Sequence, residues 1–172
     1  MRQVLENSKE TLVSVNDELK ALRQYLEVEV LRLENRLSFE IEELGDQDLE
    51  ECLIPALLLQ PIVENSIWHG ILHRPDKSGH IHIQLKSSKD FLYIDIRDDG
   101  VGRQFHQQEK KDHQSSGLDI TRKRLKLMEE IYKKPFKVQV TDREKDGKAC
   151  GTTVSFIIPV IIEKMPLWSK QC

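Results

Sequence analysis

Two polar side chains that could bind a metal ion or a phosphate lie one helical turn apart in an apolar segment. Residues at every fourth position of this segment form an apolar row: Pro55, Leu59, Val63, Ile67 and Ile71. Asn65 and His69 fall on the opposite side of the same predicted helix. An asparagine oxygen suits Mg²⁺, which binds few protein groups and keeps water or phosphate ligands, and a histidine can donate to a phosphate oxygen. An ordinary polar helix face is the alternative.

Asp98 is a second candidate, because it ends a strand on the side that faces the core. Alternate residues before it are apolar: Leu92, Ile94 and Ile96. Since side chains alternate along a strand, Asp98 should face inward and Asp99 outward. A buried carboxylate needs a hydrogen-bond partner, which an adenine amino group could supply. Gly100 and Gly102 would let the chain approach a ligand closely, although a tight turn with solvated acids is the simpler alternative.

Two further segments could complete a nucleotide site. Gly117 precedes a predicted helix with three cations in its early turns, Arg122, Lys123 and Arg124. A phosphate near the helix N-terminus would offset their unfavourable interaction with the helix dipole. On the last predicted strand the hydroxyl of Thr152 could lie beside the inward-facing carboxylate. Solvated charges and a threonine without a ligand are the ordinary alternatives.

The elements that carry these residues predict an α+β fold. Alternating hydrophobicity predicts strands at residues 37–43, 80–86, 91–98, 136–142 and 151–159, and helical periodicity predicts helices at 53–72 and 118–134. The polar segment 103–116 predicts a loop. We therefore expect a two-layer α/β sandwich, with a mixed sheet that carries helices on one face.

The first 40 residues predict a long amphipathic helix. Apolar residues three or four positions apart form one stripe: Val15, Leu19, Leu22, Leu26, Val30, Leu33 and Leu37. Ser14 or Asn16 could cap this helix, and residues 1–8 could end an earlier one. The stripe could pack on its own domain or form a helix bundle with a second subunit. Its length and its position near the terminus favour the bundle.

Composition excludes several functional classes. A chain of 172 residues suits one domain with an accessory element, and its net charge of -3 argues against general nucleic-acid binding. The three cysteines, at positions 52, 150 and 172, show neither a disulfide framework nor metal-site spacing, so a reducing compartment is expected. No apolar run is long enough to span a bilayer, and no signal peptide is apparent.

Four segments resemble, in order and spacing, the ATP-binding boxes of LytS-type sensor histidine kinases, which belong to the GHKL (Bergerat-fold) ATPases. Residues 59–70 resemble the N box, 98–102 the G1 box, 116–125 the G2 box and 151–154 the G3 box. Residues 18–27 and 32–37 resemble the helix that precedes the ATP-binding domain in this family. The resemblance covers nearly the whole chain.

The resemblance implies a site for ATP and Mg²⁺. Asn65 would hold the metal ion, and His69 would contact a phosphate or the ribose. The remaining residues that it implies as contacts of ATP are Asp98, Gly100, Gly102, Gly117, Leu118 and Thr152. Among these, Asp98 would bind the adenine amine with the support of Thr152, and Gly100 and Gly102 would hinge the ATP lid.

Three positions depart from the family pattern. Trp68 stands where the family often has a lysine, and Ser115 and Ile120 stand where the G2 box usually has its first glycine and its asparagine. The Pro-His-Phe motif that carries the family's phospho-accepting histidine is absent from these residues. The acceptor is therefore expected on a segment before Met1.

The resemblance implies the ATP-binding catalytic domain of a two-component sensor histidine kinase, which transfers the γ-phosphoryl group of ATP to that upstream histidine. A response regulator would receive the group next. Residues 1–36 would be the remnant of a dimerisation hairpin that forms a homodimer, 37–162 the catalytic domain and 163–172 a tail. The parent would be a membrane-anchored bacterial protein with this part in the cytoplasm. Alternatives are a degenerate, non-catalytic dimerisation module and an anti-sigma-type serine kinase.

Overall fold

A five-stranded mixed sheet forms one layer of the protein in the computed structural model, which describes residues 12–45, 49, 52–103 and 116–161. The strands in these ranges are β1 (Leu12–Ser14), β2 (Leu37–Leu44), β3 (Leu53–Pro55), β4 (Gly79–Ser87), β5 (Phe91–Asp98), β6 (Lys137–Lys145) and β7 (Lys148–Pro159). The large sheet has the order β2-β4-β5-β7-β6, in which β2 and β4 are parallel and the other neighbours antiparallel. β1 and β3 form a separate antiparallel pair.

Helices form the second layer. They are α1 (Val15–Arg32), α2 (Gln60–Asn65) and α3 (Ser116–Tyr132). α2 continues without a break into a π-helical turn, Ser66–Gly70, and a 3-10 turn, Ile71–His73. We call residues 60–70 the N-box helix. A π-helical turn inside a longer helix widens the turn by one residue and is often found at functional sites.

One hydrophobic cluster joins the sheet to all three helices. The sheet contributes alternate residues of its central strands, which are almost completely buried: Ile81, Ile83, Leu85, Leu92, Ile94 and Ile96. The residues between them, such as His82 and Arg97, are only half-buried. The inward face therefore follows the period of two that the sequence shows, and the predicted two-layer fold with helices on one face is confirmed.

The predicted helix at residues 53–72 is wrong at its start. Leu53–Pro55 is a strand paired with β1, a turn follows, and the helix begins at Gln60. Leu57 in this turn has a φ of +54°, outside the helical region. The apolar period of four continues through the strand and the turn because residues there also pack into the hydrophobic cluster.

The apolar stripe of α1 packs against its own domain. Val15, Leu19, Leu22 and Leu26 are each at most 6% exposed within the single chain. Ser14 caps the helix by accepting a hydrogen bond from the Asp17 amide at 3.0 Å. Of the two predicted positions, the stripe therefore takes the one on its own domain. A homodimer through the N-terminal segment stays a prediction.

Three predictions concern residues outside the described ranges. These are the earlier helix at residues 1–8, most of the loop at 103–116, which includes Ser115, and the tail from 163. Within the described ranges, no helix combines the length and the apolar character needed to cross a bilayer. The other predicted strands and the helix at 118–134 are confirmed, with ends that shift by up to three residues.

We predict that Leu22→Ala lowers the free energy of unfolding by about 2–5 kcal/mol, because it leaves a cavity in the shared core. Leu31→Ala is the matched control on the same helix, since Leu31 is 75% exposed, and it should change stability by less than about 0.5 kcal/mol. Urea unfolding at two protein concentrations measures both. A Leu22→Ala cost that disappears on dilution would instead place the stripe at a subunit interface.

Candidate functional site

The carboxylate of Asp98 is the centre of the candidate site. It is 2% exposed and accepts four hydrogen bonds from two other segments and its own turn. Its Oδ1 accepts from the amides of Gly100 (2.9 Å) and Thr152 (3.3 Å), and its Oδ2 accepts from the hydroxyls of Thr152 (2.5 Å) and Ser66 (3.2 Å). Burial raises the pKa of this carboxyl, although the hydrogen bonds from Thr152, Gly100 and Ser66 oppose the shift.

The N-box helix packs directly on the end of strand β5. The amide of Val101 donates to the Gly70 carbonyl at 3.2 Å, and a Cβ on Gly100 would lie 2.5 Å from the Gly70 Cα. Only glycine fits at such a distance. The contact between these two backbones therefore joins the end of the N-box helix to the turn after Asp98.

Asn65 lies at the other end of the candidate site, beside the start of α3. A Cβ on Gly117 would lie 3.3 Å from the Asn65 Nδ2 atom and 3.6 Å from the Pro61 Cβ. The half-buried amide of Asn65 thus lies beside the N-terminal turn of α3, where free backbone amides favour anions. Asn65 and Ser66 are consecutive, so the N-box helix connects the Asp98 end of the site to the α3 end.

Backbone contacts hold the turn after Asp98 in place. The carbonyl of Asp98 accepts from Arg143 at 2.8 Å, and that of Asp99 accepts from Arg74 at 2.7 Å. The Asp99 side chain, which faces outward as predicted, accepts from the His80 amide at 2.7 Å. A Cβ on Gly151, which has a φ of +121°, would collide with the Asp98 carbonyl oxygen. Strand β7 can therefore approach this turn only with glycine at that position.

The other predicted site residues lie near these contacts in different roles. His69 is exposed on the N-box helix, and Leu118 is buried in the hydrophobic cluster at the start of α3. Gly102 has a φ of +76°, which suits a hinge but lies just before residues outside the described ranges. Ile120 is 56% exposed, so this departure from the family pattern does not disturb the core.

Trp68 contacts the preceding helix α1. The Arg32 guanidinium lies over its ring at 4.4 Å from the centroid, which is a favourable cation–π distance. Its indole also lies beside the Tyr25 side chain. Burial, with a smaller contribution from Glu29 and Glu64, raises the pKa of Tyr25 to about 12. Trp68, which stands where the resemblance would place a lysine, thus contacts α1.

The cations at the start of α3 have mostly protein partners. Arg122 pairs with Asp119 at 3.4 Å, and Arg124 donates to the Ala56 carbonyl at 2.6 Å. Lys123 is exposed. Two of the three charges therefore need no bound anion to account for them.

A magnesium ion fits the donor set at Asn65. Among the described residues, no cluster of three or more His, Cys, Asp or Glu side chains could hold a metal ion. A metal ion at this site would therefore take most ligands from water and a bound phosphate, which is the usual pattern for Mg²⁺. The side-chain oxygen of Asn65, beside the N-terminus of α3, is a suitable single protein ligand.

Sequence reasoning missed three residues that contact or enclose Asp98: Ser66, Gly70 and Gly151. Ser66 and Gly70 lie within the N-box segment, but a uniform turn of 100° per residue gave no reason to select them over their neighbours. Gly151 stands directly before Thr152. A glycine is required at this position because β7 closely approaches β5, a contact that the sequence alone does not show.

Comparison with known proteins gives consistent relatives. Residues 55–162 match the family model described as "Histidine kinase-, DNA gyrase B-, and HSP90-like ATPase". The chain is 30% identical to the sensor histidine kinase YesM of Bacillus subtilis over 154 residues, which cover 88% of the chain and 26% of that protein. It is 30% identical to the sensor protein LytS of Oceanobacillus iheyensis over 170 residues, which cover 92% of the chain and 27% of LytS. The chain thus spans about a quarter of these relatives.

Solved structures share the fold at low sequence identity. The nucleotide-free catalytic domain of histidine kinase ThkA matches with a TM-score of 0.59 at 17% identity, covering 89% of this chain and 98% of that domain. ThkA in complex with the response regulator protein TrrA matches with a TM-score of 0.57 at 20% identity, covering 95% of this chain and 47% of the ThkA chain. The two-layer fold is therefore that of a histidine kinase catalytic domain.

We predict that Thr152→Val raises the pKa of Asp98 further and lowers the free energy of unfolding by about 1–3 kcal/mol, because a buried carboxylate loses its shortest hydrogen bond. A raised pKa means that the folded protein holds this proton more tightly than the unfolded chain. The stability contribution of Asp98 therefore falls as pH rises from its ordinary pKa of 3.8 through the folded pKa, and Thr152→Val should extend that fall to higher pH.

Carboxyl ¹³C NMR measures the Asp98 pKa, and urea unfolding at each pH measures the stability. Thr153→Val is the control, since Thr153 is the next residue of β7 and its side chain lies on the other face of the sheet. An unchanged Asp98 pKa in Thr152→Val would mean that the hydroxyl does not stabilise the ionised carboxylate.

Proposed function

Because this chain belongs to the family of histidine kinase-, DNA gyrase B- and HSP90-like ATPases, we propose that it binds ATP with Mg²⁺ and supplies the catalytic domain of a sensor histidine kinase. The reaction is transfer of the γ-phosphoryl group of ATP to a histidine imidazole. The acceptor belongs to a part of the kinase outside these residues. The relatives, which are about four times as long, support this.

The buried carboxylate of Asp98 carries the proposal. A carboxylate at 2% exposure is costly unless hydrogen bonds compensate for its burial, and this one faces the N-box helix from the end of β5. The adenine amino group can donate a hydrogen bond to this carboxylate. It would replace the Ser66 hydroxyl, whose hydrogen bond of 3.2 Å is longer than the 2.5 Å bond of the Thr152 hydroxyl. Thr152 would keep the carboxylate in place.

The phosphates would extend from Asp98 towards Asn65 and the start of α3. Backbone amides at the α3 N-terminus, reached beside Gly117, would bind phosphate oxygens. The Asn65 side-chain oxygen would hold Mg²⁺, which neutralises charge on the phosphate oxygens when bound. The exposed imidazole of His69 lies one turn further along the N-box helix, where it would contact a phosphate or the ribose.

Catalysis would depend on position and charge more than on proton transfer. The acceptor imidazole nitrogen attacks the γ-phosphorus, the bond to the β–γ bridging oxygen breaks, and ADP leaves. Asp98 and Thr152 fix the base end, while Asn65 and the α3 amides fix the phosphate end. The N-box helix, which contributes to both ends, sets the distance between them.

Partners follow from the same reaction. A response regulator would accept the phosphoryl group from the histidine, as a protein of this kind is found in complex with ThkA. A homodimer is proposed to form through the N-terminal segment, for which α1 offers the exposed Val28 and Leu31 on the side opposite its buried stripe. The domain would lie in the cytoplasm, where ATP is available, within a membrane-anchored parent.

A non-catalytic Bergerat-fold module is the second candidate. The observation that favours it is Trp68, which contacts Arg32 and Tyr25 on α1 and leaves no lysine for phosphate at this position. Radiolabelled ATP supplied to the full-length parent separates the two candidates. A kinase acquires acid-labile phosphohistidine, whereas the module acquires no label.

We predict that Asp98→Asn weakens ATP binding by about 10- to 100-fold, since a charge-assisted hydrogen bond contributes roughly 1.5–3 kcal/mol. The NH₂ group of the asparagine would also replace one carboxylate oxygen and place a donor against the two donors that this oxygen now accepts from. Isothermal titration calorimetry with ATP and Mg²⁺ measures the affinity. Asp95→Asn is the matched control on the other face of β5, paired with Arg97 at 2.8 Å, and should change affinity by less than about twofold. Equal affinities of wild type and Asp98→Asn would refute the assignment.

We predict that Asn65→Ala weakens ADP binding about tenfold in the presence of Mg²⁺ and little in EDTA, because it removes a metal ligand and leaves the Asp98 end intact. Titrations in the two buffers give the ratio of affinities, which reports the metal contribution. A loss of the same size in both buffers would show that Asn65 supports the fold of the site and does not hold the ion.

A further inference from the structure

The turn between β3 and the N-box helix is held from two sides. Leu57 in this turn has a φ of +54°, a conformation that a leucine adopts only when its surroundings impose it. The peptide unit between Ala56 and Leu57 is bonded at both of its polar atoms. Its carbonyl accepts from Arg124 of α3 at 2.6 Å, and its amide donates to Glu18 of α1 at 2.9 Å.

Glu18 makes a second contact at the same place. Its other carboxylate oxygen accepts from the amide of Leu59 at 3.0 Å. Leu59 is the N-cap residue directly before the N-box helix, and no side chain of the helix itself caps this end. Glu18 is only 5% exposed. A carboxylate on the preceding helix therefore binds the amide of the N-cap residue, as the glutamate of a capping box does, and holds the start of the N-box helix.

The two ends of the N-box helix are held differently. Its C-terminal end is fixed to the sheet by the hydrogen bond of Ser66 with Asp98 and by that of Val101 with the Gly70 carbonyl. Its N-terminal end depends on Glu18 and on the turn that Arg124 shares. The start of the helix and α3 are therefore connected to α1 through this turn, whereas the C-terminal half contacts α1 through the exposed pair of Arg32 and Trp68.

Asn65 is the site residue that this difference affects most. It lies on the N-terminal side of Ser66 and beside Gly117, at the start of the helix that carries Arg124. A displacement of the turn would move Asn65 relative to the α3 amides, while Asp98 would keep its contacts with β7. The contact of Glu18 is buried, whereas the contact of Arg32 is with a tryptophan that is 43% exposed.

We propose that Glu18 is a positioning residue for the metal and phosphate end of the site, acting through residues 57–59 on Asn65. The inference rests on the proposed function, because it concerns the Mg²⁺-dependent part of nucleotide binding. It gives α1 a defined effect on the site, in which a shift of this helix along its axis changes metal binding and leaves recognition of the base unchanged.

The test compares ADP affinity with Mg²⁺ and in EDTA for wild type and Glu18→Gln. Glutamine keeps the shape of the side chain but is neutral, so one contact becomes an uncharged hydrogen bond and the other places an NH₂ group against a backbone amide. We expect the Mg²⁺-dependent increase in affinity to fall about fivefold to tenfold and the affinity in EDTA to change by less than about twofold. Glu27→Gln, an equal change at an exposed position of α1, should leave both affinities unchanged.

A double variant establishes the route. If Glu18 acts through Asn65, then Glu18→Gln in an Asn65→Ala background should cause no further loss of Mg²⁺-dependent affinity, since coupled residues are not additive. An unchanged Mg²⁺ increment in Glu18→Gln, an equal loss in both buffers or additive losses in the double variant would each overturn the proposal. Glu18→Asp, which keeps the charge but is too short to reach both amides, is judged by the same criteria if Glu18→Gln does not fold. Failure of the proposed function is distinct, because wild type would then bind no ADP in either buffer.

Discussion

The arrangement of the whole site depends on the need of one buried carboxylate for hydrogen bonds. Asp98 is inside the protein because the alternation of β5 directs it there, and burial raises its pKa. Its four acceptor positions are filled from the turn after β5, from β7 and from the N-box helix. Those three segments can approach one carboxylate only where glycines allow backbone contact, which explains the close approaches at Gly100 and Gly151.

The N-box helix turns this local requirement into a site of defined length. Ser66 is directed to Asp98, and its neighbour Asn65 is directed to the start of α3. The change from α-helical to π-helical geometry occurs between these two residues. A π-helical turn alters the angle between successive side chains, so the angle between the two ends of the site is built into the backbone. The distance between Asp98 and the start of α3 is then a property of the helix and not of flexible side chains.

The sequence predicted those parts of the fold that depend on one element at a time. The inward position of Asp98 followed from the alternation of a single strand, and Ser14 was correctly identified as a possible cap of α1. The errors occurred where two elements compete for the same residues. Leu53–Pro55 has the apolar period of a helix, but its pairing with β1 makes it a strand. Ser66 and Gly151 could not be selected because their importance lies in contacts between distant segments. The boundary proposed at residue 36 and the roles of the site residues remain predictions.

The burial of α1 determines how a displacement of this helix would affect the rest of the domain. Its apolar stripe shares a core with the ATP-binding part, and apolar contacts are non-directional, so a stripe alone would tolerate small shifts along the helix axis. A buried carboxylate does not tolerate them, because its hydrogen bonds fail once the donor and acceptor separate by a fraction of the helix pitch. Glu18 therefore gives α1 one preferred position along the core. The apolar stripe stabilises the contact between the two parts, and the polar contact determines their register.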